Sequence, residues 1–194
     1  MHSETATATR TGRRTTPPFR ADHVGSLLRP PELLQARDDA AAGRIDAGEL
    51  RAIEDEAIAD VVRMQADVGL RTATDGEFRR ASWHMDFIYE LDGITKEAGH
   101  IAVKFHNEKG DIEFTPAALH IDGKLGVSKT IFGDAFQFLQ QTVTTTVPKL
   151  TIPSPSMVHY RGGRASIDAS VYQDRKSTRL NSSHHLTSRM PSSA

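Results

Sequence analysis

The sequence predicts an α/β fold with parallel strands, and three neighbouring patterns support this prediction. A short strand pattern at 19–26 leads into helical sequence, a strongly periodic helix follows at about 46–69, and a second strand pattern comes directly after it at 70–77. Strand, helix and strand in this order favour parallel pairing, because parallel neighbours need a long crossover connection. The chain of 194 residues is 38% hydrophobic, which is enough apolar material for one domain.

Composition and charge narrow the possible partners. The formal net charge is −1, so the chain carries no excess positive charge that would favour nucleic acid or an anionic membrane. We find neither an apolar run long enough to span a bilayer nor the apolar core of a secretory signal, and we therefore expect a cytoplasmic protein. The chain contains no cysteine, which excludes disulfides and thiolate metal ligands within it.

The first 18 residues differ in composition from the rest. They are rich in Thr, Ser and Arg, contain almost no apolar side chains and end in Pro17-Pro18. Such a segment buries too little surface to offset its ordering entropy, so 1–18 is interpreted as a disordered leader. An organellar transit peptide is the alternative. The folded unit is expected to cover 19–173.

The elements of this unit follow in order. Residues 19–26 read as a strand that ends in a small-residue turn, and Pro30-Pro31 mark the start of a helix that stops before Gly43. In the second helix Asp46 suits the N-cap and Gly69 the position after the C-cap. Its expected buried face consists of apolar residues three and four apart: Leu50, Ile53, Ala57, Val61, Met64 and Val68.

The remaining patterns complete the outline. The strand at 70–77 ends in two carboxylates, Asp75 and Glu77. Between Ile94 and Phe114 the period changes to two, which predicts an inserted β-hairpin turning at 107–110. A short helix is expected at 134–141 and a buried strand at 148–153.

The last 21 residues, 174–194, have no structural period and are rich in serine. Two blocks, 174–184 and 188–194, can be back-translated in one frame into the two sides of a widely used sequencing adapter. We therefore interpret 174–194 as a non-native tail. Without it, 20 basic and 24 acidic residues remain, a net charge of −4, and the pair His184-His185 drops out as a candidate metal site.

Two turns are candidates for a functional site. Residues 23–26 and 75–80 each follow a strand, and the carboxyl ends of parallel strands meet at one edge of a sheet or barrel. Gly25 and Gly76 would let the backbone approach a ligand closely. The structural alternative is that Ser26 caps the following helix and that Glu77 pairs with Arg79 or Arg80.

Other polar residues are weaker candidates. His23 could be a general base or a metal ligand, but a histidine beside a strand end is more often a hydrogen-bonded structural residue. Residues 83–87 are expected in the core. Ser154 and Ser156 lie in a rigid turn between prolines, and without a partner base they are not proposed as nucleophiles.

Three blocks, 19–30, 74–77 and 149–156, together resemble the cobalamin-independent methionine synthase family in its short, single-barrel form, and the resemblance extends from Phe19 to about Tyr172. It implies the N-terminal portion, about three strands, of a (βα)8 TIM barrel. It also implies transfer of a methyl group from 5-methyltetrahydrofolate, in its polyglutamate form, to homocysteine, which forms methionine with zinc as the cofactor.

The resemblance also implies site residues. Val24, Gly25, Ser26 and Glu77 match the family's positions that hold the amino-acid substrate, and the family's folate-contacting Arg-Cys pair falls near Lys124. The zinc ligands lie on later strands, so this chain would hold none and would be inactive alone. The alternatives are a related zinc-dependent thiol alkyltransferase with a different methyl donor or thiol, and a non-catalytic ligand-binding barrel.

Overall fold

A computed structural model describes residues 22–97, 103–107, 110–114, 118–159 and 162–173. The expected leader at 1–18, the first part of the strand at 19–26 and the expected foreign tail at 174–194 lie outside the described residues. Within the described part the chain has an α/β fold, as predicted.

The described helices are α1 (Pro31–Ala41), α2 (Ala47–Asp67), α3 (Met85–Ile88) and α4 (Gly133–Thr142), and a short 3-10 helix covers Pro155–His159. Pro30 is the N-cap of α1, and Gly43, with φ +69°, follows its end as expected. The predicted helix at 134–141 is α4. None of the helices in the described ranges is long and apolar enough to cross a membrane.

The ends of α2 confirm two local predictions. The Glu49 amide donates to Asp46 Oδ1 over 2.8 Å, and the Asp46 amide donates to Glu49 Oε2 over 2.9 Å. This capping box satisfies backbone donors that would otherwise lack partners at the helix start. Gly69 follows the C-cap with φ +84°, a left-handed conformation that glycine adopts without steric cost.

The predicted buried face of α2 is confirmed in the middle of the helix and wrong at its C-terminal end. Val61 is buried, and Ile53 and Ala57 pack against the core as partly buried residues. Met64 and Val68 are 43% and 67% exposed. Two polar side chains belong to the buried face, because Glu54 accepts a hydrogen bond from Arg79 over 3.1 Å and Gln65 binds the backbone of Thr74. The residues that are buried on this helix are Glu54, Ile58, Val61, Val62 and Gln65.

Six strands form three two-stranded sheets in the described residues: β1 (Thr72–Ala73), β2 (Asp92–Glu97), β3 (Val103–Asn107), β4 (Gly110–Phe114), β5 (Ala118–Gly126) and β6 (Val147–Pro148). β1 pairs with β6 in parallel, which confirms the predicted parallel arrangement. Both strands are shorter than expected, because a tight turn follows Ala73 and because irregular chain follows Pro148. Residues 22–26 form no ladder with any described strand. The next residue, Leu27, donates its amide to Gly76 O over 3.1 Å.

The expected hairpin is present as the antiparallel pair β3 and β4, with Asn107 opposite Gly110. It is inserted between β2 and β5, which also pair antiparallel. The sequence does not predict β5, because Asp122-Gly123-Lys124 interrupts its alternation of buried residues. Gly123 packs there against Gly93, where an added Cβ would lie 2.9 Å from the Gly93 Cα.

Two apolar clusters form the core. One joins α1, α2 and α4 to β1 and includes Leu33, Ile58, Ala73, Phe78 and Leu139. The other joins α3 to β5 and to the last described segment, and includes Met85, Phe87, Ile121, Val158 and Ile167. The expected core position of 83–87 is confirmed for Met85 and Phe87, whereas Trp83 is 52% exposed. The turn at 74–80 contacts both clusters, because Phe78 belongs to the first and Arg80 lies over the ring of Phe132, which packs against the second.

Candidate functional site

The turn at 74–80 follows β1 directly and has an unusual backbone. Gly76 and Glu77 have φ values of +66° and +58°, so two successive residues adopt the left-handed conformation. For a residue with a side chain this conformation costs about 1 to 2 kcal/mol. Asp75 Oδ1 accepts a hydrogen bond from the Glu77 amide over 3.0 Å and supports the turn from within. A strained residue held by its surroundings is a recurrent feature of functional sites.

The Glu77 carboxylate lies inside the molecule, with 4% of the residue exposed. Thr151 Oγ1 donates to Glu77 Oε1 over 2.7 Å, and Arg80 Nη1 lies 3.7 Å from the same oxygen. Glu77 Oε2 has no hydrogen-bond partner among the described residues. The expected pairing with Arg80 is therefore present, and one carboxylate oxygen remains available to a ligand donor.

Arg79, the other expected partner of Glu77, points elsewhere. Its guanidinium contacts Glu54 at 3.1 Å and also contacts Asp55 on α2. It lies over the Phe138 ring as well, 4.9 Å from the ring centroid. Arg79 thus anchors the turn to the helices, whereas Arg80 faces the candidate site.

Gly25 packs directly against this carboxylate. A Cβ added to Gly25 would lie 2.5 Å from Thr151 Cγ2 and 2.9 Å from Glu77 Oε1, distances that real Cβ atoms do not show. The Thr74 hydroxyl donates to Gly25 O over 2.7 Å and fixes the approach. The two turns predicted from the sequence therefore meet, and Thr151 joins them.

Val24 and Ser26 flank this contact and lie at the surface. Val24 is 86% exposed. Ser26 is also exposed and does not cap α1, whose N-cap is Pro30 without a side-chain hydrogen bond. The amides of Gly25 and Ser26 donate no hydrogen bond to a described residue. They are thus donors without an assigned acceptor beside an acidic group.

His23 is a hydrogen-bonded structural residue, which was the alternative to a general base or a metal ligand. Its Nε2 lies 2.6 Å from Gln65 Oε1, and Gln65 in turn binds the amide and the carbonyl of Thr74 at 3.0 and 2.9 Å. The network ties residue 23 to the start of the turn that carries Glu77. His23 Nδ1 is buried and has no hydrogen-bond partner in the part of the chain that the structure describes.

Asp22, in the first predicted strand, and Lys149, in the predicted strand at 148–153, brace the same region. Lys149 Nζ donates to Asp22 Oδ1 over 3.0 Å, and it also contacts the His23 carbonyl. Hydrogen bonds from Lys149, Thr72 and the His23 amide lower the pKa of Asp22 to about 2. The sequence does not single out Lys149 or Thr151 as site residues, although both lie within the predicted strand at 148–153.

The remaining candidates lie apart from Glu77. Ser154 and Ser156 share a hydrogen bond of 2.6 Å between their hydroxyls. Lys124 is exposed on β5, and it takes no part in the hydrogen bonds that join Gly25, Glu77 and Thr151. Its assignment as a folate contact stays a prediction. No group of three or more His, Asp or Glu side chains in the described ranges could hold a metal ion.

The chain is similar in sequence to several known proteins. No family model matches the chain. Two Bacillus subtilis proteins, YxjH and YxjG, both uncharacterized, are 42% and 40% identical to it over 160 and 149 residues. These alignments cover 82% and 77% of this chain. They cover 40% and 38% of the relatives, so the chain spans about 40% of the length of the curated proteins that it matches.

Solved structures point to one enzyme type. A protein from Listeria monocytogenes, provisionally assigned as a vitamin-B12 independent methionine synthase, shares 35% identity and a TM-score of 0.68 over 88% of this chain and 46% of its own. A B12-independent methionine synthase from a Shewanella species, bound to selenomethionine, shares 19% identity and a TM-score of 0.55 over 85% and 45%, which shows the fold alone. A 5-methyltetrahydropteroyltriglutamate–homocysteine methyltransferase from a Synechococcus strain is 32% identical over 78 residues, 40% of this chain and 10% of that enzyme. The names of these three proteins thus describe one enzyme type, a methionine synthase or homocysteine methyltransferase.

Proposed function

We propose that this chain supplies the amino-acid-binding part of a (βα)8 barrel methyltransferase that methylates homocysteine with 5-methyltetrahydrofolate. One observation carries the proposal: the buried Glu77 carboxylate lies beside the Gly25 backbone and binds Thr151, so residues from three chain segments meet at one point. The parallel pairing of β1 with β6 and the likeness to B12-independent methionine synthases support a barrel.

The chemistry of Glu77 suits the α-ammonium group of an amino acid. Oε1 is already held by Thr151 and Arg80, whereas Oε2 has no partner among the described residues. A charge-assisted hydrogen bond from an ammonium to this oxygen would be stronger than a neutral one, and the surrounding protein would screen it little. We therefore assign Glu77 as the residue that binds the ammonium group of homocysteine.

The turn at 24–26 suits the α-carboxylate of the same ligand. The amides of Gly25 and Ser26 have no described acceptor, and successive backbone N–H groups are good anion donors. Because Gly25 has no side chain, its backbone can pack against the Glu77 carboxylate. A zwitterion matches this combination of a negative group and neighbouring N–H donors, and Val24 would lie at the rim of the site.

The rest of the reaction is assigned to other parts of the complete enzyme. A thiolate is the nucleophile that attacks a methyl group, and bound zinc supplies such chemistry by lowering the pKa of a coordinated thiol. The described residues form no zinc site, so no step is assigned to the metal in this chain. Lys124 keeps a positive charge that would suit the glutamate tail of a methylated folate.

Calorimetric titration of the 194-residue chain with L-homocysteine tests the proposal. We expect saturable binding that weakens by at least about tenfold in Glu77→Gln, which keeps the shape of the side chain and removes its charge. Glu56→Gln is the matched control, because Glu56 is exposed on α2. An absence of binding, or equal affinity in wild type and Glu77→Gln, would contradict the assignment.

A longer chain that carries the remaining strands would identify the methyl donor. Turnover with 5-methyltetrahydrofolate and homocysteine, abolished by a zinc chelator, is the expected result. Turnover with a different donor or thiol would indicate a related alkyltransferase. Binding of homocysteine without any turnover would indicate a non-catalytic barrel.

A further inference from the structure

Two half-buried arginines hold the carbonyl groups of the turn that carries Glu77. Arg29 Nη2 donates to the carbonyls of Glu77 and Arg80 over 2.9 and 2.6 Å. Arg37 Nη1 donates to the carbonyls of Phe78 and Arg80 over 2.6 and 3.1 Å, and its Nη2 lies 3.4 Å from the carbonyl of Arg79. All four carbonyls from 77 to 80 are thus engaged by two side chains.

Both arginines lie in α1 or immediately before it. Arg29 immediately precedes the N-cap and Arg37 lies in the second half of the helix, so the helix connects to a turn more than 40 residues further along the chain. A guanidinium is a planar group with five donors, which suits several carbonyls that point the same way. A lysine ammonium is a single point charge and would not satisfy the same set.

The arrangement places like charges close together in a partly desolvated position. Burial lowers the pKa of Arg29, and the neighbouring Arg37 guanidinium lowers it further, while Glu77 and Asp86 act in the opposite direction. Arg29 Nε is also buried and has no hydrogen-bond partner among the residues of the described ranges. The hydrogen bonds from Arg29 to backbone carbonyls must offset the cost of burying its charge. One of these carbonyls belongs to Glu77, whose backbone is strained.

The carbonyl of Glu77 fixes the peptide that follows its left-handed Cα. This oxygen accepts hydrogen bonds from Arg29 and from the Arg80 amide, the latter over 3.1 Å. With that peptide fixed and φ at +58°, the side chain leaves the backbone toward Thr151 and Gly25. None of the hydrogen bonds made by Arg29 or Arg37 goes to the carboxylate itself.

We infer that Arg29 and Arg37 are positioning residues that set the orientation of the Glu77 carboxylate and thereby the affinity of the site for an amino acid. The inference deepens the proposed function and rests on it for its ligand. The positioning step itself concerns the turn at 74–80, and it is testable without a ligand.

The ligand-dependent test is a double-mutant cycle in the 194-residue chain, fused to a tryptophan-free solubility partner and titrated with L-homocysteine. Arg37→Lys and Arg29→Lys should each weaken binding by about tenfold. Combined with Glu77→Gln, either change should weaken binding by no more than about twofold beyond Glu77→Gln alone, since residues that act through one group are not additive. Full additivity would overturn the inference. Arg44→Lys is the control, because Arg44 follows the same helix and pairs with Asp39 at an exposed position.

The ligand-free test uses the one tryptophan of the chain, Trp83. Arg80 Nη1 donates to the Trp83 carbonyl over 3.3 Å, so a shift of the turn should alter the exposure of this indole. We expect stronger acrylamide quenching of Trp83 and faster amide exchange at Phe78 and Arg80 in Arg37→Lys than in Arg44→Lys, at unchanged helical circular dichroism. Unchanged quenching and exchange would overturn the positioning role. If these shifts occur while wild type binds no homocysteine, the proposed function fails and the positioning role stands.

Discussion

The Thr151 hydroxyl donates a hydrogen bond to Glu77 Oε1 over 2.7 Å, and this contact joins the chain after β6 to the turn after β1. The two residues are 74 positions apart in sequence. Arg80 strengthens the connection, because its Nη2 donates to the Thr151 carbonyl over 2.8 Å while its Nη1 faces Glu77. The parallel pairing of the two strands therefore places a hydroxyl beside a buried carboxylate.

Removal of the Thr151 hydroxyl should affect both stability and ligand binding. Thr151→Val keeps the methyl group that packs on Gly25 but leaves Glu77 Oε1 without this donor, so we expect a loss of about 1 kcal/mol in the free energy of unfolding. Thermal unfolding followed by circular dichroism measures it, and L-homocysteine affinity should fall in parallel. Thr151→Ser retains the hydroxyl and should keep most of both. Equal behaviour of the two variants would show that the hydrogen bond does not matter.

A side chain at residue 25 should disrupt the site by steric overlap. In Gly25→Ala the new Cβ would lie 2.5 Å from Thr151 Cγ2, and the required shift should destabilise the protein by about 1 to 3 kcal/mol and abolish amino-acid binding. Gly48→Ala is the control within α2, where the new Cβ would meet only Asp46 Oδ1, at 3.2 Å, and should change stability much less. Unfolding curves for both variants check the prediction, which is wrong if Gly25→Ala is as stable as Gly48→Ala.

The capping box of α2 should contribute to stability without touching the site. Asp46→Ala removes the acceptor for the Glu49 amide and should lower the free energy of unfolding by about 1 kcal/mol. Amino-acid affinity measured well below the melting temperature should not change, since Asp46 makes no contact with Glu77 or Gly25. A large loss of affinity with little loss of stability would contradict this separation.

The low pKa of Asp22 predicts a dependence of stability on acid. Its folded pKa of about 2 lies below the ordinary value of 3.8, owing mainly to the hydrogen bond from Lys149. The stabilisation is therefore fully present above the unfolded pKa and is lost as the pH falls through the folded value. The difference in stability between wild type and Asp22→Asn should persist from pH 7 to about pH 4 and shrink toward pH 2. A difference that does not vary with pH would exclude the carboxylate charge as its cause; Asp60→Asn, at an exposed ion pair, is the control.

Local signals account for what the sequence predicted well. Asp46, Gly69 and the prolines before α1 act on their own neighbours, and the structure confirms each of them. The convergence of Gly25 with Glu77 also follows from sequence, because both lie in turns that follow strand patterns.

Long-range polar contacts account for what the sequence missed. Glu54 and Gln65 are buried on α2 with partners at residues 79 and 74, and a hydrophobic period does not report such partners. Likewise, nothing local to Arg37 indicates that it binds carbonyls more than 40 residues away. The role of Thr151 could not be predicted for the same reason, since it depends on a contact across the β1–β6 pair.

The most direct measurement compares the affinities of wild type and Glu77→Gln for L-homocysteine and for 4-mercaptobutanoate, which lacks only the amino group. If Glu77 binds the α-ammonium, wild type should prefer L-homocysteine by about tenfold or more, and Glu77→Gln should lose that preference while keeping its affinity for 4-mercaptobutanoate. An equal preference in both proteins would contradict the assignment of Glu77 as the ammonium-binding residue.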